Sequence, residues 1–277
     1  MKKQLLLFVL MLLPMVASAE EVEINGLWYN LVSKAKVAEV IQNKNNQYYS
    51  GNIVIPDVVI NEGVEYNVTT IGESAFSYCS NLYSISIPNS INNIGNNAFS
   101  GCNNLNAVYI SDLEAWCMIS FDGQIANPLN FAHHLYLNGV EIIDLEIPNG
   151  VTDIDGAFCG CSSFRSVTIP NSVTSMDGAF IGCTNLTSVS IPNSVTSIAD
   201  AFCYCFGLTS VTLSNNITSI DNTFNGCSSL TAITIPNSVT SIETCAFYGH
   251  ATTKIMLMIV FFTMALNFLA YIYSRTQ

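Results

Sequence analysis

Ten cysteines are the residues in this sequence with the most obvious capacity for chemistry. Thiolates ligate zinc, form disulfides or act as nucleophiles, and each role needs a particular spacing and surrounding. Cys161, Cys183, Cys205 and Cys227 recur every 22 residues, and Cys79 and Cys102 hold the same repeat position. Cys159/Cys161 and Cys203/Cys205 are Cys-x-Cys pairs, but the pairs stand 44 residues apart, whereas a zinc site needs two paired groups at ligand spacing. Thiols locked to a repeat read more simply as small apolar fillers of a stacked core. Export would permit disulfides, yet in-register neighbours would be equivalent candidates, so no pairing follows. His133-His134 is the only histidine pair, and it reads as part of a loop or strand without a ligand role. Asp155, Asp177, Asp221 and Glu243 also recur in 22-residue steps, with Ala199 breaking the row. Such carboxylates can hold Ca²⁺, although Asp at this place more often caps a following turn. No nucleophile elbow, phosphate-cradling glycine loop or metalloprotease helix is present. The expectation is a chain with no catalytic residue, no metal and no cofactor.

The elements that carry these residues are repeats. The segments FRSVTIPNSVTSMDGAFIGCTN, LTSVSIPNSVTSIADAFCYCFG, LTSVTLSNNITSIDNTFNGCSS and LTAITIPNSVTSIETCAFYGH follow one another from Phe164. Phe76, Phe99, Phe158, Phe180, Phe202, Phe224 and Phe247 mark seven copies of one landmark. Within a copy, Val167 and Ile169 alternate with Ser166 and Thr168, the period of a half-buried strand. Pro170 cannot donate to a ladder and ends it. Val173 and Met176 return apolar groups inward, and Ala179-Phe180 falls in a short helical turn. One unit buries little, but stacked units superimpose their apolar positions into a continuous core.

These residues resemble the BspA-type leucine-rich repeats of bacterial cell-surface proteins. The resemblance rests on Leu-Thr-Ser-Val-Thr-Ile-Pro-Asn-Ser-Val-Thr-Ser-Ile followed by Ala-Phe-x-Gly-Cys, and it covers about Val68 to His250. It implies a leucine-rich-repeat solenoid, rich in parallel β-strands stacked at 22–23-residue steps with short helical turns. It also implies an adhesin or other binding protein at the cell surface. The stretch from Asp112 to Ile147 resembles an insertion found between repeats in that family. Several copies, among them the two that read Asp-Gly-Ala-Phe, are one residue shorter than the usual pattern, which implies a tighter or slightly irregular stack there.

The domain reading is then a signal peptide over 1–19, a β-hairpin cap over 20–66, the solenoid over 67–250 with an insertion at 112–146, and a hydrophobic tail over 251–277. Lys2 and Lys3, the apolar run from Leu5 to Leu13 and Ala17-Ser18-Ala19 make the export signal. Ile255 to Tyr273 holds 19 residues without a charge, the length of a bilayer span. Three readings of that tail compete: a membrane anchor, a truncated or frame-shifted end, and an apolar cap over the last turn.

Between Lys44 and Lys254 the only basic residue is Arg165, and the formal net charge is −12. Such a surface cannot neutralise phosphates, which excludes nucleic acid as a partner. The outward strand positions Ser166, Thr168, Ser188, Ser190, Ser210, Thr212 and Thr234 form a neutral hydroxyl array able to hydrogen-bond protein backbone or sugar. In the insertion, Trp116, Phe121, Phe131 and Tyr136 offer aromatic anchors, or equally a small core of their own. The reading is a non-enzymatic exported protein, secreted or at the cell surface, that binds a protein such as a host matrix component. Glycan binding and a structural or antigenically variable surface repeat are the alternatives.

Overall fold

The computed structural model describes residues 19–45, 47–242, 245–249 and 256–259. The export signal, apart from Ala19, and most of the apolar tail lie outside the described residues.

The chain opens as an antiparallel meander of β1 (Ala19–Ile24), β2 (Leu27–Val32) and β3 (Val37–Ile41). Asn25 and Gly26 turn the first hairpin with positive φ at both positions, the backbone that a tight two-residue turn requires. Leu27, Tyr29 and Leu31 alternate into the core from β2. β4 (Gly51–Val54) follows, then a hairpin of β5 (Val58–Asn61) and β6 (Val64–Ile71). β6 pairs in parallel with β3, so the meander closes the end of the stack that begins beside it. The ladders of the solenoid already start at β4 and β6, within the segment read as a cap.

Beyond this point the molecule is a β-solenoid of about seven stacked turns with little helix. Each turn carries a first strand and, on its second side, a short strand or a single bridge. β7 (Leu82–Ser86) and β8 (Asn93–Ile94) make one turn, and β9 (Ala107–Ile110) and β10 (Ser120–Phe121) the next. Two small helices, α1 (Leu113–Cys117) and α2 (Leu129–Ala132), flank β10. β11 (Leu135–Leu137) and β12 (Val140–Glu141) form a hairpin, followed by β13 (Asp144–Glu146), β14 (Ser166–Thr168), β15 (Ser188–Ser190) and β16 (Ser210–Thr212). The first ladder runs in parallel through β4, β7, β9 and β11, and again through β13 to β16. β17 (Ser219–Ile220), β18 (Ala232–Ile235), β19 (Ser241–Ile242) and β20 (Met256–Ile259) are the last strands among the described residues. The second ladder runs through β6, β8 and β10, resumes as bridges joining Asp153, Ser175 and Ser197, and ends as β17 with β19.

Between the ladders lies the interior. Ile85, Val108, Leu135 and Leu145 line it from the first strands, and Val173, Met176, Val195 and Ile198 from the second side. At the turn that follows, the landmark phenylalanines stack ring on ring. Phe158–Phe180, Phe180–Phe202 and Phe202–Phe224 have centroids 5.6, 5.8 and 5.9 Å apart, with planes within 9° of parallel. Phe76–Phe99 and Phe224–Phe247 repeat the contact.

Two findings sharpen the reading of the sequence. The stretch 112–146 supplies β10 to the second ladder and β11 to the first. α2 follows β10 at the place where a phenylalanine turn follows the second strand in the other units, and α1 lies between β9 and β10. At the other end, β20 pairs in parallel with β18, Ala232 opposite Met256 and Ile235 opposite Ile259. The start of the apolar tail thus extends the stack by one strand. Among the described residues no helix is long and apolar enough to cross a membrane.

Candidate binding surface

The backbone of each turn is satisfied by the next. Phe158 N–H donates to Ala179 O at 3.1 Å, Phe180 N–H to Ala201 O at 2.9 Å, and Gly160 N–H to Ile181 O at 2.6 Å. The thiols point the other way. Cys102 Sγ donates to Phe76 O at 3.1 Å, Cys183 to Phe158 O at 3.4 Å, Cys205 to Phe180 O at 3.1 Å and Cys227 to Phe202 O at 3.0 Å. The repeat cysteine is therefore a small filler that also donates to the previous turn. Among the described residues no group of His, Cys, Asp or Glu is arranged to hold a metal. Burial pushes the Cys79 and Cys159 thiols up to about 11, and those of Cys102, Cys161 and Cys227 to about 12. A thiol held protonated and covered is a poor nucleophile. Iodoacetamide applied to the native protein at mildly alkaline pH is expected to label the exposed Cys245 and spare the nine buried cysteines until denaturant is added. Mass-spectrometric mapping reads this directly, and native labelling of Cys183 or Cys205 would contradict it.

The acidic row also joins turns. Asp155 Oδ1 accepts from Ser175 Oγ and from Asp177 N–H, each at 2.7 Å, and Asp177 Oδ1 accepts from Ser197 Oγ at 2.7 Å and Ala199 N–H at 2.8 Å. Desolvation raises the Asp155 carboxyl above its usual range; the two hydrogen bonds pull it down and Asp153 and Asp177 push it further up. A carboxyl raised in the fold favours the folded state when protonated, so its contribution grows as pH falls through the folded value and is absent above it. Asp155→Asn keeps the Oδ1 acceptor and removes the charge. The variant is expected to melt no lower than the parent near neutral pH, with any advantage closing in mild acid. A clear loss of melting temperature at neutral pH would contradict this.

On the outward side of the first ladder, Ser166, Ser188 and Ser210 stand in register, as do Ser190 and Thr212. Thr168, Ser188, Ser190, Ser210, Thr212 and Thr234 are exposed. Ser166 is half-buried and donates to Asp144 Oδ1 at 2.5 Å. The four aromatics of the insertion separate. Trp116 is only 1% exposed, packs on Phe121 at 5.5 Å, and donates its indole N–H to Ala157 O at 3.0 Å. Phe121 and Phe131 are partly buried against the core. Tyr136 is the one with an outward strand position: it lies opposite Tyr109 of β9, which lies opposite Ser86 of β7, with Glu141 of β12 on its other side. The two tyrosine rings sit 4.8 Å apart. Tyr109 belongs to the repeat, and its outward strand position, two residues before Ser111, is the signal that would have paired it with Tyr136. Two further exposed rings, Tyr204 and Phe206, lie 6.3 Å apart at the phenylalanine turn.

The insertion holds its place with side chains. Ala157 O is the counterpart of Ala179 O, which accepts from the Phe158 backbone. No landmark phenylalanine precedes it by 22 residues, so Trp116 Nε1 and Asn127 Nδ2 supply the donors at 3.0 Å each. Asn127 Nδ2 also reaches Gly156 O at 2.9 Å, and His133 Nδ1 lies 2.8 Å from Gly160 O. His133 is thus a positioning contact with a backbone carbonyl, and His134 Nδ1 meets Glu141 Oε1 at 2.5 Å.

Parallel ladders, a one-residue-wide aromatic stack and a 22–23-residue step define a leucine-rich-repeat solenoid. A model of the BspA type leucine rich repeat region matches residues 40–124 and 131–254 in six copies, and the chain belongs to that family. No curated protein matches it. Among solved structures it is similar to a leucine-rich repeat protein from Bacteroides ovatus, at 24% identity over 82% of this chain and 50% of that one, with a TM-score of 0.47. The chain therefore spans about half the length of that protein. It is also similar to a leucine rich cell surface protein from Faecalibacterium prausnitzii, at 23% identity over 84% of this chain and 86% of that one, TM-score 0.39. A third similar structure is the T. pallidum leucine rich repeat protein, at 23% identity over 80% of this chain and 86% of that one, TM-score 0.41.

Proposed function

We propose that the protein is a non-enzymatic interaction module, exported to the cell surface or medium, that binds a protein partner along the outward face of its first ladder. The observation that carries the reading is the Tyr109–Tyr136 ring pair on the outward positions of β9 and β11, in register with Ser86 of β7. Tyrosine gives large contact area at low conformational cost and keeps a hydroxyl for hydrogen bonding. Further along the same side of the solenoid, the exposed hydroxyls of β15 and β16 are free to hydrogen-bond a partner's backbone. The adhesin reading supplies the partner class, a protein of the host matrix or of neighbouring cells, and the export signal supplies the location.

The full chain immobilised and exposed to purified host matrix proteins is expected to retain at least one of them. Tyr109→Ala with Tyr136→Ala is expected to weaken that retention about tenfold, the loss of roughly 1.4 kcal/mol. Retention unchanged by the double variant, or no retention by the parent, would defeat the proposal. The same ring pair also favours a second reading, since tyrosines stack on sugar faces. Binding on a glycan array that the double variant abolishes, without matrix-protein retention, would select it.

A further inference from the structure

The two ladders do not gain strands at the same rate. Between β9 and β13 the first ladder takes in β11 and β12, while the second ladder takes in none between β10 and the Asp153 bridge. β10 is accordingly the terminal strand of its sheet. The next turn faces it across a cavity of about 430 Å³, lined on one side by Met118 and Phe121 and on the other by Val151 and Asp153. The backbone on that far wall is half paired. Thr152 O accepts from Ser175 N–H, and Ile154 N–H donates to Ser175 O. Parallel pairing alternates direction along a strand, so the Asp153 N–H between them faces β10, and it has no partner among the described residues. An open edge of this kind is a template for an added strand.

The side chains around the opening select what is added. Glu114, Asp153 and Asp155 line it, and no Lys, Arg or His does. Met118 stands 74% exposed at its mouth, and Phe121 and Val151 give it an apolar floor. Carboxylates at a rim above an apolar floor match a strand whose side chains alternate between basic and apolar. We propose that this gap in the second ladder is a β-augmentation site for an extended basic peptide segment of a partner protein. The site is separate from the Tyr109–Tyr136 face and does not depend on it.

The test uses the full chain and a fluorescent octapeptide repeating Lys-Val-Lys-Thr, with binding read by anisotropy. Saturable binding is expected, with backbone amides at Phe121 and Asp153 gaining protection from hydrogen–deuterium exchange. Glu114→Lys is expected to weaken binding at least tenfold at unchanged melting temperature, because Glu114 is exposed. Met118→Glu serves as the apolar control: it removes the hydrophobic contact while adding negative charge. Spermidine, which carries charge without a peptide backbone, is expected to compete poorly, and a Glu-Val-Glu-Thr peptide not to bind. Equal binding of the acidic peptide, indifference to Glu114→Lys, or protection at the Tyr136 face instead would each overturn the proposal. Loss of binding in the Tyr109/Tyr136 double variant would place the peptide on the other face, and so would separate the two readings.

Discussion

Phe180→Ala is expected to cost about 3–5 kcal/mol of stability, the range for removing a fully buried aromatic ring. Phe180 is 0% exposed and stands between Phe158 and Phe202, in parallel contact with both. Its loss opens a cavity that neither neighbour can fill, since each is already stacked on the ring beyond it or held by its own turn. In a solenoid each unit touches only its neighbours, so stability is close to a sum of unit and interface terms. The substitution weakens two interfaces at once, and urea denaturation followed by circular dichroism is expected to split into two transitions. Phe247 stacks on Phe224 and is only partly buried; Phe247→Ala is expected to cost clearly less. Equal losses at both positions would show that the ring stack does not carry the stability assigned to it.

Gly160→Ala is the second large effect. Gly160 has φ +86, and a Cβ there would lie 2.5 Å from Asn130 Cα and 2.7 Å from Leu129 O. The left-handed conformation costs about 1–2 kcal/mol for a residue with a Cβ, and overpacking against backbone adds about 1–3 kcal/mol. The clash is with α2, so relief requires the helix to move and break the His133 Nδ1 contact with Gly160 O. Gly182, one turn on, supplies the control. Its φ is +71, but the nearest atom to an added Cβ is Gly160 Cα at 3.7 Å. Gly182→Ala is expected to carry the conformational cost alone. Thermal unfolding of the two variants separates them, and identical losses would mean that α2 does not press on Gly160.

The repeat was legible because each landmark recurs at a fixed step and each step superimposes. Phe158, Phe180, Phe202 and Phe224 need no knowledge of the rest of the chain to be placed on one another. The insertion has no such period. Trp116 and Tyr136 are both aromatic residues in an irregular stretch, and composition cannot tell that one is sealed beneath α1 while the other surfaces on a strand. Tertiary register decides it: Tyr136 is paired with Tyr109, and Trp116 is aimed at a carbonyl 41 residues away. The cysteines were legible as core but not as donors, because the direction of a thiol depends on the turn before it. Met256 to Ile259 illustrates the opposite difficulty. An uncharged run satisfies the length of a bilayer span and the pattern of a buried strand equally well, and only pairing with Ala232 to Ile235 distinguishes a strand at these four residues.

The constant offset between donor and acceptor has a genetic consequence. A 22-residue unit taken out whole, or copied whole, from the run between Cys161 and Cys227 leaves the backbone donors at the phenylalanine turn of the preceding unit facing equivalent acceptors. Unequal recombination between such similar stretches of coding sequence can therefore change the number of units without producing a chain that fails to close. The stretch from Asp112 to Glu146 is not interchangeable in this way, because Trp116 and Asn127 are fitted to the carbonyls of one particular unit. Lineages of this gene should vary in length after Cys161 and stay constant before it.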